Sequence, residues 1–327
     1  MSDLYPLKFI PIIKEKIWGG DKLNTVLKKK TPSAKCGESW ELSSFNNDIS
    51  VVSEGFLAEN NLEELIEIYM GDLVGDKVYE EFGLIFPLLI KFIDADEALS
   101  LQVHPDDKLA EERHQSFGKT EMWYVLENAP GAELIVGFNQ EITKQQYLEH
   151  FANGTLKEVL NNEKVKPDDV FFIPAGRVHT IGAGILLAEI QQTSDITYRI
   201  YDWDRKDANG NSRELHTEQA VDAIDYTFYS LYRTNYTETI NKTNNVIDCP
   251  YFYTNILIFN RPVEKDYILI DSFVVYICVE GEFNIIYNGG EESVPVRKGE
   301  TILLPAILKN VTLETKIKTR LLEVYIK

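Results

Sequence analysis

Short apolar runs, many of them β-branched or aromatic, alternate along most of the chain with Gly, Asn and Pro. In the first two thirds of the sequence these runs cover residues 99–103, 122–126, 133–138, 170–173, 185–190 and 196–203. Many short strands at this spacing are typical of an all-β sandwich or barrel. We therefore predict a mainly β fold.

Helical patterns are few. Asn61, a good helix-capping residue, precedes apolar positions that repeat with a 3.6-residue period from Leu62 to Leu73 and include Met70. Thr143 and Gln146 form a capping box that predicts a second helix. A third, shorter helix is predicted over residues 217–224.

A second series of strands follows a polar, Asn- and Thr-rich stretch, residues 234–245, which we interpret as a linker. Predicted strands at 273–279, 283–287 and 294–296 are separated by turns, and the Asn288-Gly289 pair favours a hairpin. The segment 168–174 resembles the segment 298–305, and both end in Pro. Two copies of one β-fold explain this repeat. We predict an N-terminal domain over residues 1–235 and a C-terminal domain over residues 246–327.

Composition and charge narrow the function. The 327 residues carry a net charge of −19, which repels nucleic acid and anionic membranes, so neither is expected as a partner. Any phosphate site must then be a local basic island. The three cysteines are far apart, which argues against a disulfide framework and fits a reducing compartment. No signal peptide or membrane span is recognisable, and we expect a cytoplasmic protein.

Polar side chains interrupt the predicted strands at three places. Gln102 and His104 are two positions apart, so both side chains leave the same strand face, and Lys119 and Glu121 repeat this spacing. His179 follows a Pro-x-Gly turn that could aim its imidazole into a barrel. Imidazole, carboxylate and amide oxygen together suit zinc or another divalent ion.

Simpler interpretations exist for the single residues. An isolated strand histidine is more often a hydrogen-bonded structural residue, and only the combination favours a metal site. For His114, His150 and His216 we favour surface roles. The basic run at residues 28–30 is interpreted as a solvated loop.

At this point the sequence resembles a known family. Pro174-x-Gly176-x-x-His179 is similar to the second cupin motif. The segments 99–107 (LSLQVHPDD), 118–121 (GKTE) and 191–203 (QQTSDITYRIYDW) resemble class I mannose-6-phosphate isomerases, as do 18–20 (WGG) and 37–41 (GESWE). The spacing between Glu121 and His179 resembles the short bacterial form. The resemblance implies two cupin, or jelly-roll, β-barrel domains with a few short helices.

The resemblance also implies a zinc-dependent enzyme. One Zn²⁺ per chain would be held by Gln102, His104, Glu121 and His179, and Gln102 is the ligand that water could replace. The implied reaction is the aldose–ketose isomerisation of mannose 6-phosphate to fructose 6-phosphate through a cis-enediol. The implied catalytic residues are Arg199 and Lys119, and the implied substrate-binding residues, besides Lys119, are Lys91 and Ser100.

Alternatives stay open at this stage. The proton could be moved by Lys119, Glu41 or metal-bound water, and Arg199 could instead form a salt bridge with one of the many acidic residues. A non-catalytic cupin that binds sugar or metal, or an iron cupin dioxygenase, would share the metal motif. Asn310 and Ile307 stand in the C-terminal repeat where the N-terminal repeat has His179 and Gly176, so a C-terminal domain without metal is expected.

Overall fold

The computed structural model describes residues 4–206 and 209–327. It is mainly β, as predicted, with four large sheets that stack face to face. The sheets stay open at their edges and do not close into the expected barrels. Residues 1–3 and 207–208 of the predicted N-terminal domain lie outside the described residues.

The strands of the first 240 residues, numbered in chain order, are β1 (Leu7–Lys8), β2 (Ile12–Gly20), β3 (Cys36–Leu42), β4 (Ser44–Phe45), β5 (Asp48–Ile49), β6 (Leu88–Ala95), β7 (Leu101–Val103), β8 (Glu121–Asn128), β9 (Glu133–Phe138), β10 (Leu160–Lys164), β11 (Val170–Ile173), β12 (His179–Ile181), β13 (Ile185–Gln192), β14 (Tyr198–Tyr201) and β15 (Arg233–Thr234). The later strands are β16 (Lys242–Asp248), β17 (Tyr253–Phe259), β18 (Val263–Asp266), β19 (Val274–Glu280), β20 (Glu282–Tyr287), β21 (Glu292–Arg297), β22 (Thr301–Leu304), β23 (Asn310–Glu314) and β24 (Thr319–Tyr325).

Two sheets form the N-terminal half. Sheet A has seven strands in the order β15-β11-β8-β13-β6-β2-β3, and sheet B has five in the order β10-β9-β12-β7-β14. Alternation of side chains along each strand gives sheet A two apolar faces. One face, with Trp123 and Leu187, packs against Leu134 and Val136 of sheet B. The candidate site lies inside this sandwich.

The C-terminal half has the same two-layer arrangement. Sheet C has the order β1-β22-β19-β24-β17-β16, and sheet D has the order β18-β23-β20-β21. The other face of sheet A, with Ile90 and Ala188, shares a single core with Val275 and Leu322 of sheet C. The two halves therefore form one continuous hydrophobic interior.

Strand β1 crosses between the halves. It belongs to the first residues of the chain, yet it pairs with β22 at the edge of sheet C, with Leu7 opposite Leu303. The proposed linker is also shorter than predicted, because β16 begins at Lys242 and pairs with β17. Asn244 is buried there and its amide donates to the Thr239 carbonyl, which explains how a polar stretch forms a strand.

The helices are α1 (Lys22–Thr25), α2 (Leu62–Val74), α3 (Asp76–Phe82), α4 (Asp107–His114), α5 (Lys144–Ala152) and α6 (Thr217–Ala223), with short 3₁₀ turns at Leu156–Val159 and Asn288–Gly290. The three predicted helices are confirmed as α2, α5 and α6. The capping boxes of Asn61 with Glu64 and of Thr143 with Gln146 are both formed. None of the helices in the described ranges has the length and apolarity to cross a membrane.

Helices α2 and α3 lie against the C-terminal half. Gly75 joins them with φ 96°, and a Cβ there would lie 2.4 Å from the Asp271 carbonyl oxygen, so only glycine fits. The Asp271 carboxylate accepts from the Asp76 and Lys77 amides at 2.9 and 3.2 Å, and so caps α3. Met70 was predicted in the apolar stripe of α2 but lies half exposed at a kink in the helix.

Candidate metal centre and active site

Three of the four predicted metal ligands meet between sheets A and B. Glu121 begins β8 in sheet A, whereas His179 begins β12 in sheet B and His104 follows β7 in the same sheet. Their ligating atoms all lie within 4.8 Å of one another, and all three residues are buried. Antiparallel pairing places His179 directly opposite Gln102, the fourth predicted ligand.

Neighbouring side chains of this group lie within 3.5 Å of one another. Glu121 Oε1 lies 3.4 Å from His179 Nε2, and Glu121 Oε2 lies 3.5 Å from His104 Nε2. The Gln102 amide nitrogen lies 3.2 Å from His179 Nε2. A half-turn of that amide would present its oxygen instead. Neither Glu121 oxygen accepts a well-oriented hydrogen bond in the described part of the chain, and the Lys119 ammonium contacts Oε2 as an ion pair at 3.3 Å.

Backbone carbonyls fix both imidazole rings. His104 Nδ1 contacts the Ile196 carbonyl oxygen and His179 Nδ1 contacts the Arg177 carbonyl oxygen, each at 2.8 Å. Since a carbonyl only accepts, each Nδ1 carries the proton and each Nε2 keeps its lone pair. Both lone pairs face Glu121. This is the outer-shell arrangement of metal-binding histidines.

Burial sets the protonation states. It lowers the pKa of His179 to about 4 and, together with the Lys119 ammonium, holds the pKa of His104 well below its ordinary value. Both rings are therefore neutral at pH 7. Burial raises the pKa of Glu121 to about 7, and the Glu189 carboxylate adds to this rise. A buried carboxylate without hydrogen bonds is costly, and a cation would remove that cost. The residues present therefore fit a divalent metal.

Lys119 points its ammonium at the same cluster. Its Nζ lies 3.3 Å from both His104 Nε2 and Glu121 Oε2. Lys91 lies on β6, which is separated from β8 by β13, and its buried Nζ lies 3.3 Å from Glu189 Oε1 of β13. Burial lowers the pKa of Lys91, but the carboxylates of Glu189 and Glu38 outweigh it and raise the pKa above its ordinary value. The lysine therefore stays charged.

A cavity of about 250 Å³ adjoins the cluster. The predicted residues that line it are Lys91, Ser100, Gln102, Lys119 and Arg199. The structure thus brings every predicted site residue either into the metal cluster or onto the wall of this cavity.

Further charged residues that the sequence analysis missed also line the cavity, namely Lys16, Glu38, Glu189, Asp195 and Arg213. Together with Lys91, Lys119 and Arg199 they give five cations against three carboxylates. Glu189 had a recognisable signal, because it interrupts the apolar run 185–190 on the face that also carries Leu187. Arg213 had none, since it lies in a loop.

Arg199 stands at the mouth of this cavity. Its Nη1 donates to the Glu214 carbonyl oxygen at 2.8 Å, and its buried Nε has no partner among the described residues. Within residues 4–206 and 209–327 it makes no ion pair with a carboxylate. Burial, followed by the neighbouring Arg213, lowers the Arg199 pKa, although a guanidinium stays protonated at neutral pH.

Glu41, one of the groups considered for proton transfer, lies on the wrong side of sheet A. Glu38 of β3 lines the cavity, whereas Glu41 accepts from Ser39 Oγ and pairs with Lys29 Nζ, both at 2.6 Å. Alternation along β3 places the side chains of Ser39 and Glu41 on the face opposite to Glu38. Glu41 therefore does not reach the reacting atoms.

A hydrogen-bond network from the C-terminal half supports the Lys119 segment. The Tyr251 hydroxyl donates to Asp107 Oδ2 at 2.5 Å, and Asp107 Oδ1 accepts from the Gly118 amide and from Gln192 Nε2, each at 2.9 Å. Gln192 Oε1 in turn accepts from the Thr120 amide at 2.8 Å. Both neighbours of Lys119 are thus held in place.

Comparison with known proteins identifies the family of the chain. Residues 7–143 match the model of the phosphomannose isomerase type I catalytic domain. The chain is 39% identical to the mannose-6-phosphate isomerase ManA of Bacillus subtilis, over 94% of this chain and 96% of that protein. It is 33% identical to a mannose-6-phosphate isomerase of Streptococcus mutans, over 93% and 94% of the two chains.

A solved structure extends the agreement to three dimensions. The crystal structure of the mannose 6-phosphate isomerase from Bacillus subtilis superposes with a TM-score of 0.88 at 32% sequence identity, covering 99% of this chain and 100% of that one. Similarity over nearly the full length includes all the elements that carry the metal cluster and its cavity. The chain therefore belongs to the type I phosphomannose isomerase family.

Proposed function

We propose that this protein interconverts mannose 6-phosphate and fructose 6-phosphate through a cis-enediol. The observation that carries the proposal is the buried His104–Glu121–His179 cluster with a cation-lined cavity beside it. The cavity has two more cationic than carboxylate side chains, which suits a phosphate monoester dianion in a protein of net charge −19. Its polar walls suit the hydroxyl groups of a sugar.

The metal we propose is one Zn²⁺ per chain, held by His104, Glu121 and His179. Two neutral imidazoles and a carboxylate are a usual catalytic zinc set, and Gln102 or water would complete the site. A bound zinc ion supplies Lewis acidity toward the sugar oxygens.

The remaining roles follow from charge and position. Isomerisation moves a proton from C2 to C1 while negative charge develops on the neighbouring oxygens. The Lys119 ammonium, which lies beside the metal cluster, can stabilise that charge or take part in the proton transfer. The Arg199 fork, which has no carboxylate partner among the described residues, can bind either the enediolate or the phosphate. Lys91 and Ser100 line the same cavity and bind substrate.

The C-terminal residues 246–327 are proposed as a domain that holds no metal. Asn310 and Ile307 offer no imidazole at the repeat position of His179, and apolar groups are poor zinc ligands. We place the activity in the cytoplasm, because the cysteines Cys36, Cys249 and Cys278 are all unpaired.

A coupled assay tests the proposal. Purified protein should convert mannose 6-phosphate to fructose 6-phosphate, lose activity on dialysis against a chelator, and regain it with about one equivalent of Zn²⁺ per chain. Recovery with Fe²⁺ only would refute the zinc assignment. A protein that binds mannose 6-phosphate without turnover would be a sugar-binding cupin, and the proposed isomerase activity would be wrong.

A further inference from the structure

A second cavity, larger than the first, lies between the two halves of the molecule. Its volume is about 620 Å³, and the loop 27–30, the residues around β1 and the turn 297–301 line it. We call it the basic crevice. Its charged side chains are the cations Lys8, Lys28, Lys29, Lys30, Arg297 and Lys298 and the carboxylates Glu41, Glu54 and Glu300. Two of these cations pair with carboxylates outside the crevice, Arg297 with Glu282 at 3.8 Å and Lys298 with Glu127 at 3.5 Å. Cations still outnumber carboxylates on its walls, in a chain of net charge −19.

Two of these cations, Lys28 and Lys30, have no carboxylate partner in the described part of the chain. Lys8 pairs with Glu300 at 3.0 Å and Lys29 pairs with Glu41 at 2.6 Å. By contrast, Lys28 Nζ donates only to a backbone carbonyl, and Lys30 has no polar partner in the described part of the chain. The unpaired charge is concentrated in the loop that the sequence pattern assigned to solvent.

The backbone that presents these lysines is tightly constrained. Lys28 has φ 58°, a left-handed conformation that glycine would adopt at lower cost. Gly299, across the crevice, approaches so closely that a Cβ would lie 2.8 Å from the Leu27 carbonyl oxygen. Lys28 takes this conformation because it ends α1 in a Schellman cap, in which its amide donates to the Asn24 carbonyl at 3.0 Å and the Lys29 amide donates to the Leu23 carbonyl at 2.9 Å. The loop is thus held both by this cap and by its contact with the C-terminal half.

We propose that the basic crevice is a second ligand site, which binds a small phosphorylated molecule. Phosphate oxygens would accept from Lys28 and Lys30, with Lys298 on the opposite wall. The apolar side chains of Phe9, Ile13 and Leu27 offer a surface for the rest of the ligand.

Strand β3 connects this site with the metal centre. Its residue Glu38 lines the active-site cavity, and Trp40 lies opposite Lys91 of β6, with its ring 5.1 Å from Lys91 Nζ. Glu41, next in sequence, pairs with Lys29 in the basic crevice. An anion that competes for Lys29 would therefore act on the strand that positions Lys91, and the crevice ligand would modulate substrate binding.

Calorimetric titration with pyrophosphate at constant ionic strength tests the proposal. The full chain should bind two equivalents, one in each cavity. The double variant Lys28→Gln/Lys30→Gln should lose the crevice site or weaken it at least about tenfold. Its matched control, Lys108→Gln/Lys242→Gln, removes the same charge from exposed positions and should bind as the parent does. Arg199→Ala should keep the crevice site, because its change lies in the other cavity.

The titration decides the question without the enzyme assay. Equal pyrophosphate binding by the crevice variant and its control would overturn the proposal, as would a single equivalent on the parent that Arg199→Ala abolishes. If the isomerase assay failed while the two-site titration held, only the proposed activity would be wrong.

Discussion

At the residue scale, the lone pairs of two imidazoles define the metal centre. Replacing His179 with Ala removes one of the three proposed protein ligands, and a catalytic zinc site needs about three. We expect bound zinc to fall from one per chain to well below half, and kcat to fall at least about a hundredfold. Metal analysis and the coupled assay on the same preparation check both.

The control for this prediction is His150→Ala. That histidine lies on α5 and contacts Thr155 Oγ1 at 2.9 Å, remote from the cluster. The His150→Ala variant should keep the zinc content and the activity of the parent protein. A metal-loaded, active His179→Ala protein would contradict the ligand set.

Arg199 allows a second residue-scale prediction. Lys in its place keeps the charge but loses the planar fork that matches two oxygens. If the arginine acts on the transition state, Arg199→Lys should lower kcat more than it raises KM, by about tenfold or more. Steady-state kinetics decide. A raised KM with unchanged kcat would assign it to ground-state phosphate binding, and normal kinetics for Arg199→Ala would remove it from the site.

Asp94 gives a pH-dependent prediction that does not involve the metal. Burial raises its pKa to about 6, although the Lys22 amide donates to it at 2.7 Å. The folded protein thus binds the proton more tightly than the unfolded chain does. Ionisation of the buried Asp94 carboxyl therefore lowers the free energy of unfolding. This loss is absent below about pH 4, grows between pH 4 and 6, and reaches about 3 kcal/mol above pH 6.

Asp94→Asn removes that cost. We expect the variant to unfold at higher urea concentration than the parent at pH 8, with about half the gain at pH 5. The neighbouring Asp96→Asn changes an exposed carboxylate and should show no such pH dependence. A pH-independent effect of Asp94→Asn would exclude titration as its cause.

At the scale of elements, sequence patterns predicted the features that depend on interactions between residues close in sequence. Asn61 and Thr143 marked two helix starts because a capping side chain bonds to an amide three residues on. His104 and Glu121 were found because the two-residue spacing places His104 on the same strand face as Gln102 and Glu121 on the same face as Lys119. Arg213 and Asp195 were missed as site residues, since their position depends on loops and on strands distant in sequence.

Helix α3 shows how an element can depend on the other half of the chain. Its first amides have no local side-chain cap, and Asp271 supplies one across the interface. Asp271→Ala should lower the free energy of unfolding by about 1 kcal/mol, which urea denaturation would measure. Glu264→Ala, an exposed change in the same half, should cost less than about 0.5 kcal/mol. Equal costs would mean that the cap contributes nothing.

At the scale of the whole molecule, Tyr251 connects the C-terminal half with the candidate active site. Its hydroxyl holds Asp107, which holds the backbone beside Lys119. In Tyr251→Phe we expect kcat to fall about three- to tenfold with zinc content and melting temperature nearly unchanged, because the ammonium loses its fixed position. Kinetics and metal analysis test this.

The matched control is Tyr253→Phe, a tyrosine of the same half, which contacts Tyr325 and Asp248 instead. It should leave kcat unchanged. A parallel loss of stability and activity in Tyr251→Phe would indicate a structural role only. No sequence pattern could have linked Tyr251 to Asp107, since 144 positions separate them.

The pairing of β1 with β22 has a consequence for synthesis of the protein. Leu7 leaves the ribosome early, but its partner Leu303 follows only after roughly 15–60 s at about 5–20 residues per second. For that interval the face of sheet A that will meet sheet C, with Ile90 and Ala188, has no cover. Exposed apolar surface of this kind aggregates or binds chaperones. The nascent N-terminal half therefore depends for its solubility on what shields this face until the last strand is made.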